Sequence, residues 1–352
     1  MTKTKPSALL LQWNLGAPIL SLCLNRLGTW VAAALAGGSV ALSLAEDAGE
    51  EPCIVTLEEG EVTSLIPDAD AHAFLALSSS GEIFIVEPQS EAATFLTEKE
   101  GASHIVAGDE AQRFFSVGSL VYAFDEEGRV GSSPLKAGGE IQGLALDPKG
   151  IFLAASHERG VSLFSLSDKK KKELSSNISC LDLVWSPDGK YLIAVDADKA
   201  LRVWAQEDFT SKAMVFDHQK HQVMPRSFGF ASDGAFLASS GARQGVLWPI
   251  PFAQESSPRW FGGADRRIVA QVAPHPHESM LALGYDDGML VLSPLDGRTE
   301  IMIHAPVAPS GSSVTGLCWN ARGDSLMASL ESGWLMLFTQ KSVMRAVQAR
   351  VH

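Results

Sequence analysis

Short apolar runs separated by turn residues fill this chain, and the clearest of them span residues 178–204, ISCLDLVWSPDGKYLIAVDADKALRVW. Apolar side chains at alternate positions lead to Trp185, and Ser186, Pro187, Asp188 and Gly189 then supply a turn. Proline presets the backbone angle of such a turn, and glycine accepts the positive φ that follows. A second apolar run breaks at residues 196–199, and a third ends on Trp204. Runs this short, punctuated this often, predict three antiparallel strands rather than helices.

The same design recurs along the chain. First-strand-and-turn signals begin near residues 18, 61, 103, 140, 178, 225, 267 and 313, about 40 to 45 residues apart, which is the period of a four-stranded blade. Each is followed by two apolar strands around a Gly-, Ser- or Asp-rich turn, as in FLALSSSGEIFIVEP at 74–88 and MLALGYDDGMLVLSP at 280–294. In seven of the eight units a less apolar fourth strand follows, from PCIVTL at 52–57 to TEIMIH at 299–304. Outer strands are expected to be more polar because only one face is covered. The eighth unit runs out at Phe338, while ALLLQW at 8–13 opens the chain with no unit of its own.

The central unit resembles a WD40 repeat, in which the first strand ends in SPDG and the third in an apolar, basic, apolar, Trp series, here Leu201, Arg202, Val203 and Trp204. The resemblance implies an all-β, WD40-like β-propeller of eight blades, with seven as the alternative count. It also implies closure by the N-terminal strand pairing with the last blade, which removes an exposed sheet edge. A well-kept repeat of that family carries a structural tetrad: a Ser or Thr in strand b, a Trp in strand c, an Asp in the turn between them and a His before strand a. Here the fifth unit keeps Asp198 and Trp204 but has Ala194 where Ser is common, and the seventh keeps Asp287 but has Ser293 in place of Trp. The Gly-His opening of many repeats is absent, with Asp217 and His218 a partial echo. The chain therefore reads as a divergent relative held by packed apolar strands, with one domain at 1–340 and a short basic tail at 341–352.

Composition narrows the function. With 46% hydrophobic residues among 352 there is material for a large core, and a net charge of -13 excludes general nucleic-acid binding, which needs a basic footprint. Cys23, Cys53, Cys180 and Cys318 stand far apart with no C-x-x-C pair, so neither a disulfide scaffold nor a zinc ribbon is expected. They read as small buried strand residues in a reducing compartment. Residues 27–45 carry no charge and have the length of a membrane span, but Gly28, Gly37 and Gly38 interrupt them, and LAGGSVALSLAED at 35–47 matches the later hairpins. A cytoplasmic location, with no membrane partner, is the expectation.

Candidate chemistry is sparse. There is no G-x-S-x-G, P-loop or H-E-x-x-H, so neither an enzyme nor a cofactor is expected. His218 and His221 fall between blades, whereas His275 and His277 fall in a turn at the opposite end, so the two pairs cannot share a metal that needs three or four ligands. Both pairs read as surface loop residues. His104 and Asp182 lie in first strands beside the expected central channel and read as satisfied buried polar groups. The lysine run at 169–172 reads as a solvated turn. One cluster invites binding: Arg243, Asp265, Arg266, Arg267, His218, Lys220 and His221 share the inter-blade end of blades five to seven, a locally basic patch on an acidic protein. Such a patch suits an acidic peptide or a phosphate group. The expected function is a non-catalytic scaffold for a protein or peptide partner, monomeric outside its complexes; the alternative is a propeller hydrolase with its site in the central channel.

Overall fold

The computed structural model describes residues 9–46, 50–57, 60–109, 111–125, 127–175, 178–209, 213–216, 223–225, 227–231, 234–253, 257–263, 267–296, 299–306 and 312–342. Each unit expected from the spacing forms one four-stranded antiparallel sheet, and the eight sheets are the blades of a β-propeller. Blades 1 to 7 span 19–56, 62–98, 102–136, 143–175, 180–216, 228–261 and 269–304, with strands a to d in chain order. Blade 8 takes three strands from the end of the chain, Val314–Trp319, Ser325–Leu330 and Trp334–Thr339. Its fourth is the N-terminal strand Leu9–Asn14, antiparallel to Trp334–Thr339, with Leu11 opposite Leu337 and Asn14 opposite Trp334. The expected latch is therefore real, and the blade count is eight rather than seven.

The chain gathers into two compact units. Blades 1, 6, 7 and 8 lie in one (Met1–Ile54, Lys220–Pro251 and Ser256–His352), and blades 2 to 5 lie in the other (Val55–Gln219 and Phe252–Glu255). Within the second unit, blade 4 shows why strand b lacks the alternation of a half-exposed strand. Leu153 and Ala155 join the cluster shared with Phe114 and Val121 of blade 3, while Ala154, between them, joins Leu183 and Trp204 of blade 5. With both faces covered, a strand reads as continuous and apolar. Strand d of the same blade, Lys171–Ser175, buries only Leu174.

Two local devices repeat. In six blades the pairing of strands a and b shifts register after the first residue, at Ile19/Ser21, Val62/Ser64, Ala102/His104, Cys180/Asp182, Val269/Gln271 and Val314/Gly316. Such a bulge bends the strand and re-aims its side chains. The second device closes the a–b turn. The amide of Asn25, Asp68, Gly108, Asp147, Ser186, Ala231, His275 or Asn320 donates to the carbonyl at or just before the start of strand b. Where the side chain allows, it also caps the amides of that turn. Asp147 accepts from Ile151 and Phe152 at 2.5 and 2.6 Å, Ser186 from Tyr191 at 2.9 Å and Asn320 from Ser325 at 3.2 Å. Short polar side chains favour this role because they reach their own backbone a few residues on.

Blade 3 departs from the expected pattern. The fourth strand read at 129–135 shrinks to Leu135–Lys136 plus a single bridge between Phe124 and Val130. Gly131, Ser132, Ser133 and Pro134 intervene, and proline has no amide to give to a ladder.

Candidate functional site

Of the seven residues in the expected basic patch, Asp265, Arg266, His218, Lys220 and His221 lie outside the described residues. The other two flank one seam. The amide of Gly241 donates to the carbonyl of Val269 at 2.9 Å, and the amide of Val269 donates to Ala242 at 2.8 Å. The b–c turn of blade 6, with Arg243, is thereby stitched to the start of blade 7, with Arg267. Arg243 is exposed and has no acidic partner among the described residues. Arg267 is committed: its Nε donates to Asp287, whose other oxygen accepts from the Met289 amide at 3.1 Å. Beside the seam is a cavity of about 590 Å³ lined by Ser240, Gly241, Ile268, Gln271, Asp286 and Thr315 among others. Its wall mixes apolar side chains, among them Leu20, Val223, Met224 and Val314, with serine, threonine, Gln271 and Asp286.

The histidine turn of blade 7 differs from its reading as surface. His275 is buried, its ring 4.6 Å from that of Trp319. Its Nδ1 accepts from the amides of His277 and Glu278 at 3.0 and 2.8 Å, so its proton sits on Nε2 and is donated to the carbonyl of Gly323 at 2.8 Å. His277 reaches Ala321 in the same way at 2.9 Å. These two rings lash the a–b turn of blade 7 to that of blade 8. The sequence holds one signal for this: a histidine stands where other units put Asp, Asn or Ser. No group of three or more metal-ligating side chains occurs among the described residues.

On the first strands, His104 Nδ1 lies 2.9 Å from Ser103 Oγ and 3.2 Å from Ser116 Oγ. Burial lowers its pKa, offset in part by its bond to the main chain of Gln142. Asp182 keeps contact with solvent, yet the protein packed around it strips enough water to raise its carboxyl above the usual range, the Leu183 amide opposing that shift. Both residues have hydrogen-bond partners, as the sequence reading expected, but neither side chain is buried as it also expected: Asp182 is exposed and His104 half-buried.

The tetrad survives in pieces that the sequence reading did not find. In blade 6 the Trp248 indole donates to Ser239 Oγ at 3.0 Å, with both residues buried. In blade 5 the buried acid is Asp196 rather than Asp198. Asp196 accepts from the amides of Asp198 and Ala200 and forms an ion pair with Arg202 at 2.9 Å. The acid needs to stand at the end of strand b to face strand c, two residues earlier than the turn position. Tryptophans also sew neighbouring blades together: Trp185 donates to Ala145 at 3.3 Å, and Trp319 to Ala273 at 3.1 Å. All four cysteines are free, and burial pushes the Cys318 thiol up to about 12 and raises that of Cys23 too, which makes poor nucleophiles of both.

Eight four-stranded sheets with a common a–b cap place this protein among the repeat β-propellers. Residues 168–205, which carry strand d of blade 4 and strands a to c of blade 5, match the family of the WD domain, G-beta repeat. The chain is an eight-bladed β-propeller, one stretch of which is similar to a WD40 repeat. No curated protein matches it. Among the described residues no helix is long and apolar enough to cross a membrane.

Proposed function

We propose that the protein is a single-domain, non-catalytic platform that binds a protein or peptide partner at the inter-blade end of blades 6 and 7. WD40 propellers in general mediate protein–protein interaction. The observation that carries the reading here is Arg243, an exposed cation without an acidic partner among the described residues, two residues along the chain from Gly241, which lines the 590 Å³ cavity. An exposed cation without an acidic partner, close in the chain to a cavity that also holds polar groups, gives an acidic side chain a place to bind. Arg267 contributes less to this than its sequence position suggests, since Asp287 already neutralises it. Four free cysteines suit the cytoplasm. Arg243→Glu is the test: the proteins recovered with the wild-type chain should be lost with the variant at equal thermal stability. Recovery of the same proteins by both would refute this site.

The hydrolase reading has one observation behind it, the 2.9 Å approach of Ser103 Oγ to His104 Nδ1. A fluorophosphonate probe that labelled Ser103, and did so less after His104→Gln, would put that reading first.

A further inference from the structure

The lysines at 169–172 have no part in the binding site proposed above. They follow strand c of blade 4, Gly160–Ser165, and run into strand d, Lys171–Ser175, the outer edge of that sheet. Lysines on an outer strand oppose pairing with the edge of another sheet, and this accounts for the run by itself. It does not account for the crevice beside it. Between the c–d turn of blade 4 and Phe209, past strand c of blade 5, lies a space of about 440 Å³. Phe152, Leu163 and Phe209 form its floor, and Ser165, Asp168, Lys170, Lys171 and Lys172 form one wall.

The floor is rigid. Phe152 stacks on Trp185 at 6.4 Å, and Phe209 meets both rings edge-on at 5.9 and 6.0 Å. Trp185 is buried and tied to Ala145, while Phe152 and Phe209 remain half-exposed. The wall is partly neutralised. Lys170 pairs with Asp168 at 2.9 Å, and Lys171 with Glu173 at 2.8 Å, but Lys169 and Lys172 have no acidic partner among the described residues. The Ser165 hydroxyl and then Lys170 hold the Asp168 carboxyl down to about 2, so that acid stays ionised and committed to its own turn. Exposed Glu207 stands two residues before Phe209 in the chain.

We propose that this crevice docks a short acidic segment of a partner protein. An apolar or aromatic side chain of the segment sits on Phe152 and Phe209, and its flanking carboxylates meet Lys172 and, beside it, Lys170, whose pairing with Asp168 is solvent-exposed. Charge complementarity selects this occupant: the chain carries a net charge of -13, so an acidic segment is repelled from most of the surface and finds lysines gathered here. The aromatic floor supplies what charge cannot, since an anchor buried on rigid rings loses little entropy and excludes water from the contact. Lysine stems are flexible point charges and suit carboxylates spread along an extended chain.

Fluorescence anisotropy on the full chain tests this, with a labelled Asp-Glu-Glu-Trp-Glu-Asp peptide as probe. Saturable binding is expected, weakened about tenfold or more when Gly replaces the peptide's Trp, and similarly by Lys170→Glu combined with Lys172→Glu. Higher salt should weaken it further. Because those lysines are exposed, the double variant should melt with the wild type, and Phe209→Leu, which keeps bulk but loses the ring, should weaken binding several-fold. Absence of saturable binding, or equal affinity for the Gly peptide, would overturn the proposal. So would binding of phosphatidylserine vesicles through these lysines with no binding of the peptide. Arg243→Glu should leave this affinity unchanged, so the two sites succeed or fail separately.

Discussion

Blades 7 and 8 meet differently from blades 4 and 5, although both junctions use the same indole bond from the end of strand a to the preceding blade, Trp319 to Ala273 and Trp185 to Ala145. At the first junction the cap of the a–b turn reaches across: His275 and His277 donate to Gly323 and Ala321, and the nearby crevice is only about 140 Å³. At the second the cap stays at home. Asp147 spends its oxygens on the amides of Lys149, Ile151 and Phe152, and the crevice beside the rings is about 440 Å³. A cap with two functional ends can close its own turn and still bind a neighbour; a carboxylate engaged by three amides cannot. The junction whose turn caps also cross to the neighbour is built for rigidity, and the one whose cap stays within its own turn keeps room for a ligand.

The sharpest way to break this comparison is His275→Ala. It removes the ring beside Trp319, strands the Gly323 carbonyl and uncaps two amides, and should cost about 2–4 kcal/mol in denaturant unfolding. Gly323→Ala attacks the same lash from the other side. Its φ is +74° and an added Cβ would collide with the His275 ring, so a loss of about 2 kcal/mol is expected. Asp147→Ala uncaps a turn without crossing a junction and should cost less than His275→Ala, about 1–2 kcal/mol. Equal losses would mean that the cross-blade bonds add nothing. Trp185→Phe and Trp319→Phe each delete one indole bond, worth about 1 kcal/mol. Only Trp319→Phe should couple to His275→Ala in a double-mutant cycle.

The smallest effect is one of pH. Burial raises the Asp182 carboxyl, and blade 4 approaches this residue at Gly143. The folded state therefore holds this proton more tightly than the unfolded chain does, and stability falls as pH rises from the ordinary Asp range through the raised folded value. Asp182→Asn should raise the melting temperature at pH 7 more than at pH 4. At the other junction Gln271, which does not titrate, donates to the Thr315 carbonyl at 3.2 Å, and Gln271→Glu should introduce a comparable pH dependence there.

Much of this was open to reading before any coordinates. The turn at 186–189 and the period of about 40 to 45 residues announced the blades, and the orphan strand at the start announced the latch. The candidate site was less open. Arg267 looks free in sequence because Asp287 stands 20 residues away across a hairpin. His275 and His277 look like loop histidines because their acceptors, Gly323 and Ala321, are main-chain carbonyls more than 40 residues on. Carbonyls carry no signature in sequence, so a side chain that binds one cannot be distinguished from a side chain that binds nothing. The shift from Asp198 to Asp196 has the same origin: both are acids, and only the strand end decides which one faces inward.

By itself, then, the amino-acid order determined that this protein is a propeller and how the first strand completes the last, and it narrowed the sheets to eight or seven. Those features depend on local turn chemistry and on apolar strands that need cover on both faces. Tertiary structure alone decided which charges were left over, which junctions were lashed and where room remained beside exposed rings. Those outcomes depend on pairs of groups from different blades, and proximity in space is not written in the spacing along the chain.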